Sequence, residues 1–223
     1  SGSIAMTRCH PGSVANESGQ AACRKCAAGT FQSSRGQQEC KVCALGGYCT
    51  KGASSPVPCE AGRFGNRTGL TKLRDCHLCE PGHSCLIGAT EPTPCTPGSV
   101  APKDRYDKVV ARILDAINIS TCDLCAPGKY QDMEKQEECK NCTQGHYCPA
   151  GAAAVTPCPA GYYNPDEGAA NLTEKDNDLP QCRPCTPGHE CPAGSIEQVP
   201  CEPGSYTKEN KSSECSKCER GTY

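Results

Sequence analysis

Residues 139–163 read Cys139-Lys-Asn-Cys142-Thr-Gln-Gly145-His146-Tyr-Cys148-Pro-Ala-Gly151, then Ala-Ala-Ala-Val-Thr-Pro157-Cys158-Pro-Ala-Gly161-Tyr-Tyr163. Two features of this stretch recur along the chain: a Cys-x-x-Gly start, and a Cys-x-x-Cys joint. Read as units that begin with Cys-x-x-Gly, the chain has starts at Cys9, Cys26, Cys43, Cys59, Cys79, Cys95, Cys125, Cys142, Cys158, Cys185, Cys201 and Cys218. Several copies carry Pro before the Gly, as in Cys9-His-Pro-Gly12 and Cys125-Ala-Pro-Gly128. Pro sets φ for the second position of a type II turn and Gly supplies φ > 0 at the third, so a type II turn is expected after each of these cysteines. Two residues past the Gly stand Val14, Phe31, Phe64, Val100, Tyr130, Tyr163, Tyr206 and Tyr223, read as apolar plugs packing on neighbouring disulfides.

The joints at 23/26, 40/43, 76/79, 122/125, 139/142, 182/185 and 215/218 divide the chain into two module types. The short type is Cys-x13-Cys. The long type is Cys-x5-Cys-x9-Cys, a variable loop and a fourth Cys, and it starts at Cys43, Cys79, Cys142 and Cys185. The expected organisation is an N-terminal extension 1–8, short modules 9–25 and 26–42, long modules 43–78 and 79–124, a short module 125–141, long modules 142–184 and 185–217, and a cut short module 218–223. Such a period predicts an elongated array in which each module touches mainly its neighbours.

Composition explains why the cysteines matter. The chain has 223 residues, 23 of them Cys, no Trp and two Phe, with a mean hydropathy of −0.59. Apolar residues are too scarce for the core that a chain of this length ordinarily buries. About a tenth of the residues being Cys points to disulfides, hence to an oxidising, extracellular compartment. Six of the eight Asn lie in Asn-x-Ser/Thr sequons, at Asn16, Asn66, Asn118, Asn141, Asn171 and Asn210. Chance would place about one there, so N-linked glycans are expected, with Asn141 the weakest site because Cys follows it. The net charge of −2 argues against nucleic acid or an anionic membrane as main partner. No run of 18 apolar residues occurs, so no membrane span is expected in this segment. No signal peptide is visible at Ser1 to Thr7, so a secreted chain is expected to be an internal piece of a longer precursor.

Spacing does not prove connectivity. Short modules are expected to pair their own cysteines, Cys9–Cys23, Cys26–Cys40 and Cys125–Cys139. In the long modules the expectation is first to third and second to fourth: Cys43–Cys59 with Cys49–Cys76, Cys79–Cys95 with Cys85–Cys122, Cys142–Cys158 with Cys148–Cys182, and Cys185–Cys201 with Cys191–Cys215. Cys218 is then left unpaired, its expected partner lying past Tyr223. Closing a 15-residue loop contributes roughly 3 kcal/mol in the chain-entropy model, so eleven bridges supply the scale of order that a core would otherwise give.

The pattern Cys-x-x-Gly-x-Tyr…Cys-x-x-Cys-x-x-Gly-x-x-Cys-x-x-Gly…Pro-Cys resembles the ephrin-receptor-like cysteine-rich repeats, related in style to tumour-necrosis-factor-receptor and growth-factor-receptor modules. The resemblance runs from Cys9 to Tyr223. It implies small, mostly irregular modules with short β-hairpins, in cell-surface or secreted proteins, and it agrees with the one–three, two–four pairing.

Three features stand outside the repeat. Between Cys95 and Cys122, apolar residues Tyr106, Val109, Val110, Ile113, Leu114 and Ile117 recur with period 3.6, predicting a short helix near 103–118 with Pro102 at its start. This helix is expected either to pack back on its own module or to offer Tyr106, Val109, Val110, Ile113 and Ile117 to a partner chain. The polar loop 164–180 is expected to be solvated, a calcium role there lacking EF-hand spacing. His83, His146 and His189 each stand two residues before the second Cys of a long module, and are read as turn residues rather than as a metal or pH-sensing set.

Zinc is a competing reading of Cys-x-x-Cys pairs, but the sequons and the module bookkeeping oppose it, so no metal and no cofactor is expected. No nucleophile with a base partner and no phosphate loop is present, so no catalysis and no small-molecule substrate is expected. The expected function is a non-catalytic structural or adhesive rod, part of a larger glycosylated surface protein or filament such as a surface coat or flagellar hair. Its partners would be other protein chains, including copies of itself. The alternative is a ligand-binding ectodomain segment of a receptor.

Overall fold

A computed structural model describes residues 8–15, 22–110, 119–170 and 181–221. Among them each of the unit starts from Cys9 to Cys201 opens one hairpin, while the Cys-x-x-Gly at Cys49, Cys85, Cys148 and Cys191 lie within a hairpin unit, so the repeating element is a single unit rather than the four-cysteine module. Eleven such repeats are covered: 9–25, 26–42, 43–58, 59–78, 79–94, 95–124, 125–141, 142–157, 158–184, 185–200 and 201–217, numbered 1 to 11 below.

Each repeat is a two-stranded antiparallel hairpin. In repeat 1, Ser13 pairs with Lys25 and Val14 with Arg24; in repeat 8, His146 pairs with Pro157 and Tyr147 with Thr156. The first strand follows the Gly of Cys-x-x-Gly and the second ends just before the next Cys. The expected turn is present: the Ser13 amide donates to the His10 carbonyl at 3.1 Å, and Gly12 has φ +83°, a value that glycine adopts without a Cβ penalty.

Two-residue strands cannot hold a fold by themselves. Order comes from contacts between successive repeats, and three backbone hydrogen bonds recur. The Gly amide donates to a carbonyl in the next repeat, as in Gly29 to Cys49 and Gly128 to Cys148. The amide six residues after the first Cys also donates forward, as in Gln131 to Ala152. A second turn residue donates back to the first Cys of the preceding repeat, as in Gly52 to Cys26, Gly69 to Cys43 and Gly168 to Cys142. Lys135 and Lys211 occupy this last position in repeats 7 and 11, at φ +60° and +67°, and make the same bond, to Cys95 and Cys185.

Packing also reaches the next repeat but one. A Cβ added at Gly128 of repeat 7 would overlap the carbonyl oxygen of Gly168 in repeat 9 and lie 3.0 Å from its carbon. The same close approach joins Gly12 to Gly52, Gly46 to Gly88 and Gly98 to Gly151. The expectation of contact mainly between neighbouring modules therefore understates the structure: within each of the two compact bodies described below, successive repeats share backbone hydrogen bonds, and several glycines abut the repeat after next.

The disulfides form the buried centre. In the short modules the structure pairs Cys9 with Cys23, Cys26 with Cys40 and Cys125 with Cys139. The long modules depart from the expected pairing throughout. Cys43 bonds Cys49 and Cys59 bonds Cys76; Cys79 bonds Cys85 and Cys95 bonds Cys122; Cys142 bonds Cys148 and Cys158 bonds Cys182; Cys185 bonds Cys191 and Cys201 bonds Cys215. The expected Cys43–Cys59, Cys49–Cys76, Cys79–Cys95, Cys85–Cys122, Cys142–Cys158, Cys148–Cys182, Cys185–Cys201 and Cys191–Cys215 are all replaced. The reason is geometric. Cys43 and Cys59 start successive repeats, whereas Cys49 lies on the first strand's far end of Cys43's own repeat, with Cα atoms 5.9 Å apart, inside the range that a disulfide spans. A long module is thus a small Cys-x5-Cys repeat followed by a long-loop version of the short module. Cys218 is free.

The chain divides into two compact bodies, Ser1–Pro94 with Lys103–Thr121, and Cys95–Pro102 with Cys122–Tyr223. In the first, the helix Lys103–Val110 packs on repeats 4 and 5. Val109 is buried with Phe64, Cys79, Cys85 and Ile119, and Tyr106 packs against the same cluster. This corrects the partner-facing reading for Tyr106 and Val109; Val110 is exposed, and Ile113 and Ile117 lie outside the described residues. Exposed pairs Lys103–Asp107 and Asp104–Lys108 lie one helical turn apart and add little in solvent. In the second body, Tyr130 of repeat 7 packs on Cys142 and Cys148 of repeat 8.

Candidate functional site

The residues singled out in the sequence fall into structural and exposed sets. The aromatic plugs are structural. Phe64 and Val14 are buried, and Tyr48 covers Cys59 and Cys76 of the following repeat. Tyr206 is the exception, 39% exposed with the Lys208 ammonium 5.4 Å from its ring centre. Tyr223 lies outside the described residues.

The three histidines do not converge. His83, His146 and His189 each place Nδ1 near a carbonyl two residues earlier, at 3.0, 2.8 and 3.2 Å from Pro81, Gln144 and Pro187. The tautomer with the proton on Nδ1 donates to that carbonyl, and Nδ1 of His146 and His189 also lies 3.2 Å from the Thr143 and Thr186 hydroxyls, so each ring sits against its own turn. Among the described residues no group of three His, Cys, Asp or Glu is placed to hold a metal ion.

Two buried amides escaped the sequence reading. Gln32 and Gln131, 2% and 1% exposed, stand at the sixth position after the first Cys. Each donates from Nε2 to a carbonyl seven residues on, Glu39 and Glu138, at 2.7 Å, and accepts at Oε1 from the amide of Ser34 or Met133. In repeats 3, 5, 8 and 10 the same position holds the second cysteine of Cys-x5-Cys. Asn164 fills it in repeat 9, donating to the His146 and Asp166 carbonyls. In seven of the eleven repeats this position therefore takes a disulfide or a hydrogen-bonded amide; Ala15, Gly65, Ala101 and Thr207 hold it in repeats 1, 4, 6 and 11. The signal was Cys-x-x-Gly-x-aromatic-Gln, shared by 26–32 and 125–131.

Of the sequons, Asn66, Asn141 and Asn210 have exposed side chains; Asn16, Asn118 and Asn171 lie outside the described residues. Within repeat 9, Asp166 at the start of the long loop pairs with Arg183 of the second strand, and residues 171–180 lie outside the described residues. Three carboxylates are held below their usual value, among them Asp104, which accepts from Lys108 on the exposed side of the helix. Asp75 accepts from the Thr71 hydroxyl and amide at 2.7 and 2.9 Å. Asp132 accepts from Lys140 at 2.6 Å, whose ammonium is correspondingly raised. Asp75 and Asp132 stabilise local loops and neither faces a cleft with a nucleophile. No helix among the described residues is long and apolar enough to cross a membrane.

Comparison with known proteins agrees with this architecture. Residues 12–59 match the family described as tyrosine-protein kinase ephrin type A/B receptor-like, which spans repeats 1 to 3 and the start of repeat 4. A rat protein named Sushi, von Willebrand factor type A, EGF and pentraxin domain-containing protein 1 is 35% identical over 71 aligned residues. That alignment covers 22% of this chain and 2% of the relative. Residues 12–59 are thus ephrin-receptor-like, and the eleven disulfides along the chain are consistent with cysteine-rich repeats of an extracellular or cell-surface protein.

Proposed function

We propose that this chain is a non-catalytic extracellular spacer, a stiff segment of a larger glycosylated surface protein or filament. The observation that supports it is the interlock between repeats. Within each body, every described repeat donates backbone hydrogen bonds to its neighbour, and glycines bring backbones two repeats apart into contact. Modules joined only by Cys-x-x-Cys links would hinge; modules that share backbone hydrogen bonds resist bending. Exposed Asn66, Asn141 and Asn210 would carry glycans outward without touching the buried disulfides.

Small-angle scattering of the oxidised, glycosylated chain, with sedimentation in parallel, tests the reading. A stiff particle gives a profile that stays constant between low and high salt and loses its order on reduction. A profile of flexible beads with the disulfides intact would overturn it. Sedimentation reports separately whether copies assemble, as a filament role requires.

A further inference from the structure

A second property lies in the charge of the first three repeats. Residues 1–59 hold six Lys or Arg against two Asp or Glu, whereas the other 164 hold 17 against 23. A chain of net charge −2 therefore begins with a segment of +4. Structure concentrates part of this excess. Arg24 and Lys25 form the second strand of repeat 1, and the Lys25 stem lies across Gly52, 3.4 Å from where its Cβ would be, which brings it beside Lys51. These three cations line an open groove of about 740 Å³ with Thr30, Gln38 and Glu39, the one acid among the described residues of its wall. Lys41 follows Cys40 at its edge and is exposed. Two other grooves lack this bias: one mixes Arg67 and Arg74 with Asp75, the other Lys135 and Lys140 with Glu137 and Glu138.

We propose that this groove binds a linear sulfated polysaccharide. Repeated sulfates on a chain suit a row of cations that no buried site encloses, and the Thr30 hydroxyl and Gln38 amide supply neutral partners for sugar hydroxyls and carboxylates. Among the described residues the groove wall holds no large apolar side chain: Cys26, Ala27 and Cys40 make up the rest of it. It therefore lacks the anchor that a protein hot spot or a membrane-inserting face requires. The attraction is electrostatic and weakens as salt screens it. This inference does not depend on the spacer reading, since a flexible chain would bind through the same three repeats.

The test is titration of the oxidised full chain with a heparin octasaccharide by calorimetry, at 0.05 and 0.3 M salt. The triple variant Arg24→Gln, Lys25→Gln, Lys51→Gln is compared with a control triple in the second body, Lys129→Gln, Lys208→Gln, Lys217→Gln. Circular dichroism checks that both fold. The expected result is binding that falls with salt, is weakened at least ~10-fold in the first triple, and stays within about twofold in the control. Equal loss in both triples, retained affinity in the first, or equal binding of fully desulfated heparin would overturn the proposal. So would anionic phosphatidylserine vesicles that bind through the same residues while the octasaccharide does not.

Discussion

The interlock between alternate repeats can be separated from simple turn chemistry by two matched substitutions. Gly128 and Gly188 both have φ +82°, so replacing either by Ala imposes the same left-handed strain, about 1–2 kcal/mol. They differ in surroundings. At Gly128 the new Cβ meets the Gly168 backbone, 3.0 Å from its carbonyl carbon, while at Gly188 nothing lies within 4 Å. Carbon–carbon contact is comfortable only at about 3.5–4.0 Å, and backbone cannot swing aside as a side chain can. Overpacking of this kind costs roughly a further 1–3 kcal/mol. Hydrogen exchange of the Gly168 amide, which donates to Cys142 at 2.8 Å, reads the local opening. A further ~2 kcal/mol corresponds to roughly 30-fold faster exchange in Gly128→Ala than in wild type. Gly188→Ala should leave that amide within a few-fold. Equal exchange at Gly168 in the two variants would refute packing between repeats 7 and 9.

Other consequences follow from particular side chains. Gln131→Ala strands the Glu138 carbonyl and the Met133 amide, and should cost about 2–3 kcal/mol in denaturant unfolding under non-reducing conditions. Val109→Ala should cost about 2 kcal/mol and expose the helix to protease, because two buried methyl groups leave the Phe64 cluster. Thr71→Val should raise the Asp75 pKa toward its ordinary 3.8 in an NMR titration. Because that carboxyl is depressed in the folded chain, its stabilising contribution is complete above the unfolded value and is lost as pH falls through the folded one. The same acid-side loss applies to Asp132, and Lys140→Met should abolish it there.

Much of the architecture was legible because its signals are covalent or conformational. Sixteen Cys-x-x-Gly occur, each with a Gly at φ > 0. The four at Cys49, Cys85, Cys148 and Cys191 are told apart because each follows another start by six residues, which leaves twelve that start units. Their grouping was not legible. The x5 and x9 spacings are constant in all long modules, and constancy alone does not tell whether Cys49 returns to Cys43 or reaches Cys76. Only the stacking of repeat 3 on repeat 4 decides it, and that depends on backbone hydrogen bonds that any residue can make. Likeness to receptor modules favoured the pairing that the structure replaces. Lys135 and Lys211 hid the second turn position because Lys rarely takes φ > 0. The helix was visible in its period, but which face is buried depended on Phe64 and the Cys79–Cys85 bridge, some twenty to forty residues away in sequence. The basic groove was hidden by a near-neutral whole-chain charge.

Disulfide connectivity tests the central claim most directly, and one tryptic peptide suffices. Cleavage after Lys41 and Lys51 releases 42–51, which contains Cys43 and Cys49, while Cys59 leaves in 52–63. If each Cys-x-x-Gly start is its own repeat, non-reducing mass spectrometry finds 42–51 alone, two hydrogens lighter than its reduced form. Finding 42–51 joined to 52–63 would mean that Cys43 reaches Cys59, and the single-repeat architecture would be wrong.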